Sequence, residues 1–325
     1  MRIASFLPSA TEMLYALGAG EMVMAVSHEC DYPLEAQRKP IVSRARFDHT
    51  QLDSAAIDAL VSQAIQNGES LYTIDHQVLR QANPDLIVTQ ELCDVCAVTG
   101  HDLSQALNDL RLNPQLITLT PTNLAGIFDN LRMLGEALGL RERAERLVAE
   151  LTARVERVAR VTRELEERPT VFCLEWLDPP YAGGHWLPEM VALAGGHDPL
   201  GWAGEKSARI QWEQIIEAAP EVLVVMPCGF DMARAVQEID QLAQRPGWAS
   251  LPAVRHDRVY VTYASAYFSR PGPRVVDGFE ILAHIIHPGQ FPARYPASVL
   301  QRVPQRQRRL RQEDAAPRAS AHQVA

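Results

Sequence analysis

From Arg141 to Glu167 the chain runs without a glycine or a proline. Leu147, Val148, Leu151, Val155, Val158 and Leu165 form an apolar stripe along this run, and Arg and Glu cover the other face. The pattern predicts one amphipathic helix. At 1.5 Å per residue it reaches roughly 40 Å, too long for a small lobe. Its stripe departs from a strict heptad, which argues against a coiled coil. A rigid strut between two lobes satisfies both observations, and Pro169 ends it.

What flanks the strut alternates between two periods. Before it, Arg2–Phe6, Met22–Val26, Asp85–Thr89 and Gln115–Leu119 read as short buried strands. Met13, Leu14 and Leu17 follow the first strand at helical spacing, with Ser9 or Thr11 to cap that helix and Gly18 to end it. Further helical patterns fall at 51–67, 75–82 and 102–111. After Pro121, a helical face from Leu124 to Leu138 closes at Gly139. Beyond the strut, Thr170–Leu174, Glu221–Val225 and Arg258–Val261 read as strands. Leu187–Ala194, Gln211–Ala218, Met232–Gln244 and Arg274–Ile286 read as helices. Strands alternating with helices predict parallel sheets. The expected fold is α/β, with two Rossmann-like lobes joined by a long rigid helix. The expected organisation is a first lobe over 1–120, a helical linker over 121–168, a second lobe over 169–288, and a disordered basic tail over 289–325.

Composition narrows the function. The net charge of −9 argues against a nucleic-acid partner. The arginines Arg306, Arg308, Arg309 and Arg311 of the tail read as a solvated run. No segment approaches the length of a membrane span. Met1–Leu7 lacks the apolar core of a signal peptide. Five sparse cysteines do not make a disulfide framework. These features predict a cytoplasmic monomer, or an extracytoplasmic one if the start codon is misplaced.

The stretch Gln90–His101 holds Cys93 and Cys96 directly after a predicted strand, with His101 close behind. Three readings stand beside one another. The pair lines a cleft at the strand's carboxyl end, or holds zinc with help from His101, His28 or Cys30, or simply packs. A zinc- or metal-handling protein built on Cys93 and Cys96 is one functional alternative. No second Cys pair completes a zinc site, and a thioredoxin-like unit is not evident around it. No nucleophile triad, phosphate-binding glycine loop or His-Glu-x-x-His is present, so no enzyme is predicted.

Specific motifs carry a resemblance. Ser5-Phe-Leu-Pro-Ser-Ala-Thr-Glu-Met-Leu-Tyr-Ala-Leu-Gly18 and Ala25-Val-Ser-His-Glu-Cys-Asp-Tyr-Pro33 resemble the opening of class III substrate-binding proteins of ABC importers. These are the iron-siderophore and vitamin B12 binding family. Asn83–Val88 and Ala219–Val225 resemble its Pro-Asp-Leu strands, one in each lobe. Pro179–Gly184 is similar to a cleft segment of the vitamin B12 (cobalamin) binding members, the nearest subgroup. The likeness runs from about residue 2 to 288. It implies a binding protein with no catalytic cofactor, holding cobalamin or a related corrinoid between its lobes. A siderophore or heme binder of the same fold is the alternative. The resemblance also implies docking on an ABC permease dimer through Glu213, with Asp75 as the nearest counterpart in the first lobe. An insertion around 54–72 disturbs the alignment there.

A corrin is a broad, flat ring rimmed with amides, and aromatic side chains suit its faces. Trp176, Tyr181, Trp186, Phe230, Tyr263 and Tyr267 all follow predicted strand ends, where α/β sheets bind ligands. His28 and Glu29 occupy positions where the family places an aromatic contact. His28 reads as a hydrogen-bonding side chain or as an axial ligand to cobalt. Arg44 and Arg46, together with Arg270, read as partners for amide or anionic groups or as surface charge.

Overall fold

Apolar runs bounded by Gly, Pro and Asp form two separate sheets, and amphipathic segments between them cover both faces. The computed structural model describes residues 1–48, 50–90 and 98–303. In chain order, the first lobe comprises β1 (Ile3–Ser5), α1 (Pro8–Ala16), β2 (Val23–Ser27), β3 (Ile41–Ala45), α2 (Ser54–Gln66), β4 (Tyr72–Ile74), α3 (His76–Ala82), β5 (Leu86–Gln90), α4 (Gly100–Leu110) and β6 (Gln115–Leu119). Two helices follow, α5 (Leu124–Ala137) and α6 (Arg141–Arg163). The second lobe comprises β7 (Val171–Leu177), β8 (Pro180–Ala182), α7 (Leu187–Leu193), β9 (Ala208–Arg209), α8 (Trp212–Ala218), β10 (Val222–Val225), α9 (Met232–Leu242), α10 (Pro252–Arg255), β11 (Val259–Thr262), α11 (Ala264–Tyr267), α12 (Val275–Ile286) and β12 (Leu300–Arg302).

The first sheet has the order β4-β3-β2-β1-β5-β6, parallel except for the β3–β4 pair. The second has the order β12-β11-β10-β7-β8-β9. There β7, β10 and β11 are parallel, while β8, β9 and β12 pair antiparallel. Each sheet therefore reverses its winding at its first strand, between β1 and β5 and between β7 and β10. Such switch points leave a crevice at the carboxyl ends of the strands.

The long helix is α6, with 23 residues, about 35 Å. It stops four residues short of Glu167, where a turn rather than Pro169 ends it. It ties to both lobes. Arg143 Nη1 donates to the Leu17 carbonyl of the first lobe at 3.2 Å. Arg154 forks onto Glu280 (3.0 and 2.6 Å) and Asp277 (2.5 Å) of α12 in the second. One apolar core is continuous across the molecule. It runs from Ile3, Leu14 and Leu17 through Leu131, Leu134, Val148, Leu151 and Val158 to Val171, Met190, Val224, Phe279 and Ile285.

Local details depart from the sequence pattern. Neither Ser9 nor Thr11 caps α1; Leu7 does, with Pro8 in the first turn, and both polar residues are buried inside the helix. Thr11 Oγ1 instead donates to Ser5 Oγ (2.8 Å) and Cys30 Sγ (3.1 Å). Part of the segment expected to be a disordered tail forms β12, whose backbone pairs with β11. Among the described residues no helix is long and apolar enough to cross a membrane.

Asp198 follows α7 and accepts from the backbone N–H of Leu200 (3.0 Å) and Gly201 (2.8 Å). Its Oδ2 is buried without a hydrogen-bond partner. Burial pushes the carboxyl up to about 6, against the pull of the two N–H groups. A carboxyl raised on folding contributes stability that is complete below the unfolded value near 3.8 and is lost as pH rises through about 6. Asp198→Asn keeps an acceptor and cannot ionise. It should stabilise the chain near neutral pH by on the order of 2 kcal/mol and do little near pH 4. Urea unfolding at the two pH values checks this; an equal gain at both refutes it.

Candidate ligand cleft between the lobes

The loops after β2, β3, β10 and β11 meet at one crevice. Glu29 and Asp31 come from the first of these, and Thr50 from the second. Gly229, Phe230 and Asp231 follow β10, and Tyr263, Ser265 and Arg270 follow β11. Together with Arg234 of α9 they line a cleft of about 210 Å³. The loop after β10 turns at Gly229, where φ is +78° and a side chain would be strained. The Gly229 N–H donates to Ser265 Oγ at 3.0 Å, tying the two second-lobe loops together.

Behind the cleft the lobes are joined by buried ion pairs. Glu12 projects from α1 and is only 2 % exposed at its side chain. Arg274 donates to both of its oxygens, at 2.9 and 2.5 Å. Arg270 lies 3.8 Å from Glu12, donates to the Glu29 carbonyl at 2.9 Å, and pairs directly with Asp31. Tyr263 Oη donates to Asp31 at 3.4 Å, and Arg274 lies 4.1 Å over the Tyr32 ring. Burial pushes the Glu12 carboxyl up, against the pull of Arg274 and Arg270. Burial pulls the two guanidinium groups down, but their carboxylate partners outweigh it and hold both above the ordinary arginine value. Burial, with the Asp31 charge, also raises the Tyr263 hydroxyl.

The aromatics predicted from strand ends separate into three environments. Phe230 and Tyr263 line the cleft. Trp176, at the end of β7, meets Phe230 edge-on with ring centroids 5.2 Å apart. Tyr181 on β8 lies under Arg209, and Tyr267 on α11 lies beside Arg274. Trp186 is 4 % exposed within the continuous core, where its indole N–H donates to the Phe268 carbonyl at 2.9 Å. The structure therefore places Trp186 in packing, away from the cleft lining.

Of the polar candidates, Glu29 lines the cleft and His28 stands next to it. His28 Nε2 lies 3.3 Å from Glu29 and 3.4 Å from the Ala45 N–H. Arg44 and Arg46 are exposed on β3 and just beyond it. Glu213 is exposed in the first turn of α8, whereas Asp75 is the N-cap of α3, accepting from Gln77 and Val78. Cys93 and Cys96 lie outside the described residues. Their suggested partners are separated in character: His101 is exposed on α4, while Cys30 is buried, its thiol pushed up to about 12 by burial. Among the described residues no three His, Cys, Asp or Glu side chains gather as a metal-ligand set. Sequence reasoning missed Glu12, Asp31 and Arg274. Glu12 had one signal, a carboxylate on the apolar face of α1.

The insertion noted around 54–72 contains α2, and it reaches across the cleft. Ile57 is buried in the second lobe's core, in one cluster with Phe172, Leu174, Phe230 and Ile239. The Trp176 indole N–H donates to the Ser54 carbonyl at 3.1 Å, and Ser54 Oγ donates to Glu238 at 3.1 Å. Arg209 pairs with Asp58 at 2.8 Å, and Arg234 donates to the Leu52 carbonyl while stacking on Phe230.

Two lobes, a rigid connecting helix and a crevice between strand ends define a solute-binding architecture. The chain belongs to the periplasmic binding protein family, which it matches over residues 3–266. It is a binding protein of that class and not an enzyme. An uncharacterized ABC transporter substrate-binding lipoprotein of Bacillus subtilis is 25% identical over 299 residues, covering 89% of this chain and 81% of the relative. The vitamin B12-binding protein of Vibrio cholerae is 23% identical over 282 residues, 86% of each chain. A periplasmic heme-binding protein from Pseudomonas aeruginosa superposes with a TM-score of 0.68 at 20% identity, over 93% of this chain and 97% of its own. These findings overturn the expected cytoplasmic location. The family is one of periplasmic proteins and a relative is a lipoprotein, so the start of the present sequence does not report where the protein resides.

Glu12→Gln should leave Arg274 with an uncompensated buried charge and cost on the order of 3 kcal/mol in urea unfolding. Glu12→Leu combined with Arg274→Met should recover most of that loss, because the pair carries its own desolvation cost. A double variant as unstable as the single one would show that these residues do not act as a pair.

Proposed function

We propose that this protein is the extracytoplasmic substrate-binding component of an ABC importer and that its solute is cobalamin or a related corrinoid. The vitamin B12-binding relatives and the ABC transporter lipoprotein support the reading. The observation that carries the choice of solute is the charge state of the cleft. Its two lining arginines and the one behind them already have partners within the chain: Arg270 with Asp31, Arg234 with the Leu52 carbonyl, and, behind the cleft, Arg274 with Glu12. The lining carries three carboxylates, Glu29, Asp31 and Asp231, against two arginines, so its balance is toward acceptors. An anionic siderophore, or the carboxylates of heme, would have to win those arginines from partners already in place. The neutral amides around a corrin bring N–H donors that fit an acceptor-rich wall, and Tyr263 in the lining, with Phe230 and Trp176 behind the α2 segment, supplies rigid apolar area for the ring.

Calorimetry with cyanocobalamin, cobinamide, hemin and a ferric hydroxamate siderophore tests this. Cyanocobalamin or cobinamide should bind at least tenfold more tightly than the two iron ligands. Tighter hemin or siderophore binding would transfer the protein to the heme or siderophore reading. Trp176→Ala should weaken corrinoid binding by about 1–3 kcal/mol while the melting curve stays cooperative.

Delivery to a permease dimer is proposed to run through exposed carboxylates. Glu213 is free to face such a partner, whereas Asp75 is engaged by its own helix. Glu213→Arg should abolish transport with the cognate permease and leave the calorimetric affinity unchanged. Transport at the native rate would remove Glu213 from the docking surface.

A further inference from the structure

We infer that α2, with its entry segment Leu52–Ser54, is an intrinsic lid that competes with the solute for the aromatic face of the second lobe. The segment belongs to the first lobe by sequence, between β3 and β4, yet it packs on β7 of the second. Its anchor is Ile57, buried in the second lobe's core cluster, to which Phe230 also belongs. Its polar ties go to the same lobe: the Ser54 carbonyl to Trp176, Ser54 Oγ to Glu238, Asp58 to Arg209, and the Leu52 carbonyl to Arg234. Trp176 and Phe230 are thereby covered by the chain itself.

Size supports the same conclusion. Small-molecule sites span about 300–1,000 Å³, and a ring as broad as a tetrapyrrole belongs at the upper end. The cleft of about 210 Å³ falls below that range; α2 does not itself line it, but Arg234 of its lining is held by the Leu52 carbonyl. The rest of the molecule gives little room for opening, because one apolar core runs through both lobes and α6. The attachment of α2 differs. Ile57 is its one buried apolar residue, Leu52 and Val61 pack half-buried against the same core, and four polar contacts complete the attachment; Leu60 and Ile65 remain exposed, and it exits through Gly68 at φ +67°, where no atom lies near the missing side chain. An element with few buried contacts opens locally without global unfolding. Displacing α2 uncovers Trp176, Phe230 and the wall beside Glu238, and leaves the ion pairs of Glu12 in place.

The inference rests on the corrinoid reading only for the ligand used as probe. Hydrogen exchange on the native chain measures lid opening without any ligand. The α2 amides should exchange at least 100-fold faster than those of α9, against which the lid packs. Equal protection of the two helices overturns the inference. Ile57→Asp should release the lid, seen as further loss of α2 protection with α9 unchanged. It should also tighten cyanocobalamin binding on the order of tenfold or more, by removing the competing closed state. Ser54→Ala, a milder change, should move both readouts in the same direction. A released lid with unchanged or weaker cyanocobalamin binding overturns the competition. If neither native nor variant protein binds cyanocobalamin while hemin or the siderophore binds, the corrinoid reading fails. The lid is then judged by the same comparison with the ligand that binds.

Discussion

One apolar core, shared by both lobes and threaded by α6, is the constraint on which the other features depend. Leu14 and Leu17 of α1, Leu134 of α5, Val148 and Val158 of α6 and Phe279 of α12 belong to the same packed cluster. Close-packed interiors do not deform smoothly. Sliding one lobe against the other would open voids along the whole strut. A flexible hinge is therefore not available, and large closure of the kind seen around loop hinges does not fit this architecture. The fork of Arg154 onto Glu280 and Asp277 holds the strut in register with α12 at its surface.

Charge plays the complementary part at the cleft side. Burying a carboxylate and two guanidinium groups costs several kcal/mol per ion before pairing offsets it. Glu12, Arg270 and Arg274 accept that cost in a place where apolar residues of similar volume would pack as well, while Asp31 stays partly exposed. Their effect is on geometry and selection. Each pair joins a first-lobe carboxylate to a second-lobe arginine, so the lobes meet in one register. The arginines are also withdrawn from any solute that would recruit them. A wall with its cations satisfied and its acceptors exposed selects for donors on the ligand.

Much of this architecture was legible from spacing alone. The stripe from Leu147 to Val158 announced the strut, and the period change at Pro121 and Pro169 separated the sheets. β1, β2, β5, β6, β7, β10 and β11 fell where buried apolar runs predicted them. The short strands β3, β4, β8, β9 and β12 did not register. Two to five residues with mixed polarity carry no clear period, and tertiary pairing decides their state. The aromatics of the cleft were visible as residues after strand ends, but position in sequence could not separate Phe230 from Trp186, which lies behind the sheet with its N–H on the Phe268 carbonyl. The ion pairs join residues some 240–260 positions apart, and nothing local marks them. The helix α2 was predicted from its periodicity. What its apolar face would cover was not, because Leu52, Ile57 and Val61 specify a face and not a partner.

Rigid lobes and a strapped cleft make one mechanical system. When the body cannot hinge, access has to come from an element whose opening is cheaper than the body's. Undocking α2 exposes the buried Ile57 and the half-buried Leu52 and Val61, together worth about 3–5 kcal/mol, along with hydrogen bonds that water can largely replace. Global unfolding of a chain like this lies at about 5–15 kcal/mol. The lid therefore opens within the native state, and its closing energy sets a factor by which apparent affinity falls below intrinsic affinity. A solute that covers Trp176 and Phe230 more completely than Ile57 does recovers that energy on binding, and a smaller one does not. Selection by area thus adds to selection by charge: the cleft favours a broad apolar face with donors at its rim, and the chain's own isoleucine is the competitor that such a face must exceed.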